Sequence, residues 1–122
     1  MFALLLFNVC IRLKPSINVE IIPQLQDNYS YVVKDEANLV SFIVDACSDG
    51  LMEDMVKEEE GCELLAILTT HKHWDHVGGN ESIASRYPGI KIYGPKIEQT
   101  EIPSLTDAVE PGDKFDIGKM QV

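Results

Sequence analysis

The chain has 122 residues, of which 45% are apolar and 25% charged, with a formal net charge of −10 and a sequence pI near 4.6. That is the length and composition of one ordinary globular domain with a core. The negative charge argues against nucleic acid or an anionic membrane surface as a partner, because neither would be attracted.

Cys10, Cys47 and Cys62 are scattered and odd in number, with no C-x-x-C. This points to a reducing compartment rather than a disulfide framework, with Cys47 and Cys62 as small buried apolar residues. The cytoplasm or the mitochondrion is expected ahead of secretion. No stretch reaches the roughly 20 apolar residues of a membrane span. Residues 1–11 are apolar over about the length of a signal h-region, but Arg12 and Lys14 follow the run and no basic residue precedes it. Residues 1–16 are therefore expected to be an extension or weak leader, and residues 17–122 the domain.

From Ile17 the pattern becomes that of strands. Residues 17–22 alternate and are expected to stop at Pro23. Asp27-Asn28 signals a turn. Residues 29–34 and 39–44 read as two further strands, making an antiparallel meander; the last is apolar at nearly every position, so buried on both faces, and ends at Asp45. A helix is expected over 50–60, with Leu51, Met52, Met55 and Val56 on its apolar face and Gly61 closing it. Residues 64–68 form another buried strand. Asn80 is placed to cap a short helix over 81–86. Strands follow at 90–93 and 114–117, a mostly irregular stretch lies over 96–106, and another strand starts at Met120.

The three histidines of the chain all fall in Thr70-His71-Lys72-His73-Trp74-Asp75-His76, just past the buried strand and before Gly78-Gly79. Sheets of the α/β type place their chemistry beyond such strand ends. On extended backbone His71 and His73 point the same way, Asp75 continues that parity, and His76 turns in from the next position. Imidazole nitrogen and carboxylate oxygen are ligands for zinc, iron or manganese. His71 and His73 suit one ion; Asp75 and His76, displaced along the loop, suit a second, with Asp75 also placed to orient the attacking water. An exposed loop that merely happens to be rich in histidine is the weaker reading, given this spacing between a strand and a Gly-Gly turn. Lys72 is expected to face solvent and Trp74 to pack or to line the mouth of the site.

The phrase ILTTHKHWDHVGGN resembles the signature of the metallo-β-lactamase superfamily, and within it glyoxalase II, hydroxyacylglutathione hydrolase. Asp27-Asn28-Tyr29-Ser30-Tyr31, Ile43-Val44-Asp45 and Lys91-Ile92-Tyr93-Gly94 extend the likeness over about residues 17–122. The resemblance implies an α/β (α+β) fold, the N-terminal half of an αββα sandwich. It implies two divalent metal ions, zinc first and iron or manganese next, held by His71, His73, Asp75 and His76. It also implies hydrolysis of S-D-lactoylglutathione, a glutathione thioester, to glutathione and D-lactate. Asp45 matches a strand-end aspartate that supports the ligands, although a turn-forming role serves nearly as well. The family's further ligands lie downstream of His76, where this sequence has no histidine. The 122 residues therefore read as an N-terminal part, with weak or absent turnover and an exposed apolar face expected. The competing readings are another hydrolase of the superfamily, or a non-catalytic short form that binds metal or a partner.

Overall fold

The computed structural model describes residues 16–51 and 61–122 in full and the backbone of residues 2–6 and 9–13. Beyond Leu51 the helix expected over 50–60 lies outside the described residues. Within the apolar start, β1 (Phe2–Leu6) pairs antiparallel with β2 (Val9–Leu13), apart from the main sheet.

The main sheet has six strands in sequence order: β3 (Ile17–Gln24), β4 (Asn28–Asp35), β5 (Val40–Val44), β6 (Glu63–Leu68), β7 (Lys91–Pro95) and β8 (Asp107–Val109). β3, β4 and β5 form the expected antiparallel meander; β5 to β8 run parallel. Pro23 does not stop β3. It sits opposite Tyr29, and β3 is an edge strand, where a residue without an N–H is tolerated. β8 is a strand the sequence did not announce, three residues long and, among the described residues, paired only with β7.

Alternation along the central strands splits the core in two. Val32, Ile43, Ile67 and Ile92 face one side, with Leu51 and Ile83. Val33, Phe42, Val44, Ala66 and Leu68 face the other, where they meet Ile117 and Met120. Those two belong to a small hairpin, β9 (Asp116–Ile117) and β10 (Met120–Gln121), turned at Gly118 with φ 59°. Phe115 beside it stacks on Tyr93, ring centroids 4.3 Å apart.

Two short helices follow β6. α1 (Trp74–Val77) is a single turn, and α2 (Asn80–Arg86) lays Ile83 on the sheet. Asn80 is not the cap of α2. It is its first residue, wholly buried, and its amide donates to Thr69 Oγ1 at 3.3 Å and to the Pro103 carbonyl at 3.2 Å. Gly79 holds the cap position. Among the described residues no helix is long and apolar enough to cross a membrane.

Candidate metal centre

The histidine loop leaves the parallel part of the sheet at Thr69, whose N–H donates to the Tyr93 carbonyl at 2.8 Å. The next residue ties it to β5. Thr70 donates twice to the Asp45 carboxylate, from its backbone N–H to Oδ1 at 2.8 Å and from Oγ1 to Oδ2 at 2.7 Å. Asp45 is fully buried at the end of β5, with φ 56°, and its own N–H donates to the Leu68 carbonyl at 2.9 Å. Aspartate is among the few residues that adopt this left-handed backbone readily. Its third donor is His76, whose Nδ1 lies 2.9 Å from Oδ2. A buried carboxylate is costly unless donors surround it; here three do.

These bonds set the protonation of two rings. A carboxylate only accepts, so His76 carries its proton on Nδ1. Thr70 spends its one hydroxyl proton on Asp45, so His71 Nδ1, 2.9 Å from Thr70 Oγ1, must be the donor there. With Nδ1 carrying a proton, the neutral form of either ring has its lone pair on Nε2, the form that binds a metal. His71, His76 and Asp45 each bring a ligand-type atom to within 4.8 Å of the others. Burial, then the neighbouring His76, holds His71 below the usual imidazole range, which favours its neutral form.

The other two expected ligands stand at the margin of this group. His73 is exposed, its ring edge-on to His71 with centroids 4.7 Å apart. The chain turns helical at Trp74, so the strand-like parity expected to carry through Asp75 ends one residue earlier. Asp75 Oδ2 lies 3.8 Å from His76 Nε2 and accepts the Asn28 amide at 2.9 Å. That hydrogen bond is the main reason Asp75 titrates below the ordinary carboxylate. Asn28→Ala is therefore expected to move Asp75 back up towards the ordinary value, read by carboxyl-carbon NMR titration; an unmoved midpoint would assign the shift elsewhere. Asn28 was legible as a turn residue and as part of a family-like phrase, but not as the partner of Asp75, which is 47 positions away. Trp74 is 75% exposed, so of its two expected places the core is not the one it takes.

Gly78-Gly79 were expected to permit a turn by their backbone freedom. Their φ values, −57° and −95°, suit any residue. What they supply is space. A Cβ on Gly78 would lie 2.6 Å from the Cys47 carbonyl oxygen, and one on Gly79 2.6 Å from that of Ser48. The α1–α2 joint thus presses directly on the loop after Asp45, and Gly79 N–H donates to the Ala46 carbonyl at 2.8 Å. Cys47 is buried as expected, and burial pushes its thiol up; Cys62 is half-buried.

A mixed sheet with a histidine cluster beyond a parallel strand end, braced by a buried aspartate, is a frame that could hold a metal ion. Residues 24–117 match the family model of the metallo-beta-lactamase superfamily, and the chain belongs to that superfamily. Among named proteins it is similar to the cytoplasmic hydroxyacylglutathione hydrolase of Arabidopsis thaliana, 40% identical over 100 residues, which are 80% of this chain and 37% of that protein. It is also similar to the hydroxyacylglutathione hydrolase of Brucella anthropi, 36% identical over 108 residues, 88% of this chain and 41% of that one. The chain thus spans about two fifths of the length of these relatives. The fold is shared with the BLEG-1 B3 metallo-beta-lactamase (TM-score 0.72, 19% identity, 85% of this chain and 58% of that one). It is shared equally with ETHE1 from Myxococcus xanthus (TM-score 0.71, 18% identity, 85% and 45%).

Proposed function

We propose that these residues supply the first half of the metal centre of a thioester hydrolase of the hydroxyacylglutathione hydrolase type. The observation that carries the reading is the convergence of His71 and His76 on Asp45, with both rings fixed in the Nδ1–H form. Two imidazoles with carboxylate nearby are a donor set for zinc, iron or manganese. His71 and His73 would hold one cation, and Asp75 and His76 a second. Asp45, whose two oxygens already take three donors, would orient His76 and, through Thr70, His71, rather than coordinate.

When bound, a divalent cation supplies Lewis acidity, which makes water a competent nucleophile at neutral pH and polarises a carbonyl. The chain's own part is to hold the donors and place the acid–base groups. Asp75, whose carboxylate accepts the Asn28 amide, would orient the attacking water and take one of its protons. Attack on the thioester carbon forms the new C–O bond and breaks the C–S bond; the sulfur leaves as thiolate, the acyl group departs as carboxylate, and the second proton of the water passes to the thiolate or to solvent. The substrate class, a glutathione thioester, is supported by the relatives' names.

The test is Zn²⁺ uptake by the purified chain together with thiol release from S-D-lactoylglutathione. Uptake is expected, lost in His71→Ala and His76→Ala, with thiol release weak and stopped by chelator. Uptake that ignores both substitutions, or thiol release unaffected by chelator, overturns the reading.

A further inference from the structure

The histidine loop is gripped from a second side. After β7 the chain makes a 3₁₀ turn, Lys96–Glu98. Glu98 Oε1 accepts the backbone N–H of Lys72 at 3.1 Å, across 26 residues of sequence. That N–H belongs to the peptide joining His71 to Lys72. Glu101 takes the Lys72 ammonium with both carboxylate oxygens, at 2.9 and 3.0 Å. The two glutamates belong to one turn, since Glu101 N–H donates to the Glu98 carbonyl at 2.9 Å.

The two grips differ in strength. The Lys72–Glu101 ion pair is open to solvent, and such pairs contribute little. The Glu98 bond is charge-assisted, partly buried, and made to the backbone itself. His71 and His76 are already braced by Thr70 and Asp45. His73 is exposed, and ordering an exposed side chain and its backbone costs entropy at the moment of binding. A peptide already held lowers that cost.

We propose that Glu98 is a positioning residue of the metal centre: by holding the Lys72 amide it fixes the backbone between His71 and His73, so that both donors are set before a cation arrives. The inference rests on the metal-centre reading above.

The test uses the full chain with Co²⁺ alone as probe, and amide hydrogen exchange at Lys72 in the metal-free chain. Glu98→Ala is expected to speed exchange at Lys72, to weaken Co²⁺ binding by about 10-fold or more, and to shift the visible Co²⁺ bands. Glu98→Gln retains the acceptor oxygen and should restore slow exchange, affinity and spectrum. Glu101→Ala, which removes only the ion pair, should leave the spectrum as it is. Wild-type affinity and bands in Glu98→Ala overturn the proposal, as does a Glu98→Gln chain no better than Glu98→Ala. A wild-type chain that takes up no Co²⁺ defeats the metal-centre reading, while exchange at Lys72 still decides whether Glu98 holds the loop.

Discussion

Asp45→Asn is expected to leave the chain folded and to cut metal affinity by about 10- to 100-fold. Asparagine is nearly isosteric and also tolerates the left-handed backbone at this position, φ 56°. Its carbonyl oxygen must replace Oδ1, because the Thr70 backbone N–H can only donate. The amide nitrogen then replaces Oδ2 and faces Thr70 Oγ1 and His76 Nδ1 as a donor. His76 can meet it only by carrying its proton on Nε2, the wrong form for a ligand. The Thr70 hydroxyl, no longer donating to a carboxylate, is released to donate to His71 Nδ1, which moves the His71 proton the same way. One substitution therefore reverses both rings. The loss of charge-assisted bonds should cost about 1–3 kcal/mol in a urea melt. Asp45→Ala, which strands three donors and puts alanine in the left-handed region, should cost more than that. A folded Asp45→Asn chain with wild-type Zn²⁺ affinity would show that the carboxylate does not set these rings.

The second large effect is expected from a single methyl group. Gly78→Ala and Gly79→Ala each drive a Cβ to 2.6 Å from a backbone carbonyl oxygen, of Cys47 and Ser48 respectively. Neither partner is the end of a flexible side chain, so the strain cannot be relieved by a rotamer change. The α1–α2 joint must lift from the loop after Asp45, and His76, at the end of the same turn, moves with it. Overpacking of this kind costs about 1–3 kcal/mol, with the backbone-on-backbone clash placing it at the upper end. In a chain of this size that lowers the melting midpoint by roughly 8 °C or more. Gly50→Ala is the matched control: its Cβ would meet only Ser48 Oγ at 3.8 Å, and a change within about 0.5 kcal/mol is expected. Equal midpoints for all three variants would refute the close-approach account of the Gly-Gly pair.

What could be read before the fold was known follows the range of the interactions concerned. The meander, the buried strand at 63–68 and the histidine loop beyond it were legible because each is a local pattern of apolar residues with a terminator. Pro23 misled because a proline's tolerance depends on whether its strand lies at an edge, which a sequence window does not contain. β8 was missed because three residues carry no measurable period. Asn80 looked like a cap and is instead a buried tie between Thr69 and Pro103.

The sequence by itself determined the family: three histidines and Asp75 within six residues, past a buried strand, carry the likeness to the metallo-beta-lactamase superfamily that the family match bears out. Spacing does this because ligand type and order are properties of the chain alone. Only the tertiary structure decided how that loop is held. Asp45 is 26 residues before His71, and Glu98 is 26 after Lys72. Their hydrogen bonds exist because parallel pairing of β5, β6 and β7 brings three strand ends to one edge of the sheet. The tautomers of His71 and His76, the spacing role of Gly78-Gly79 and the grip of Glu98 all follow from that pairing. No periodicity records it, because each depends on a partner that only the folded sheet brings within reach.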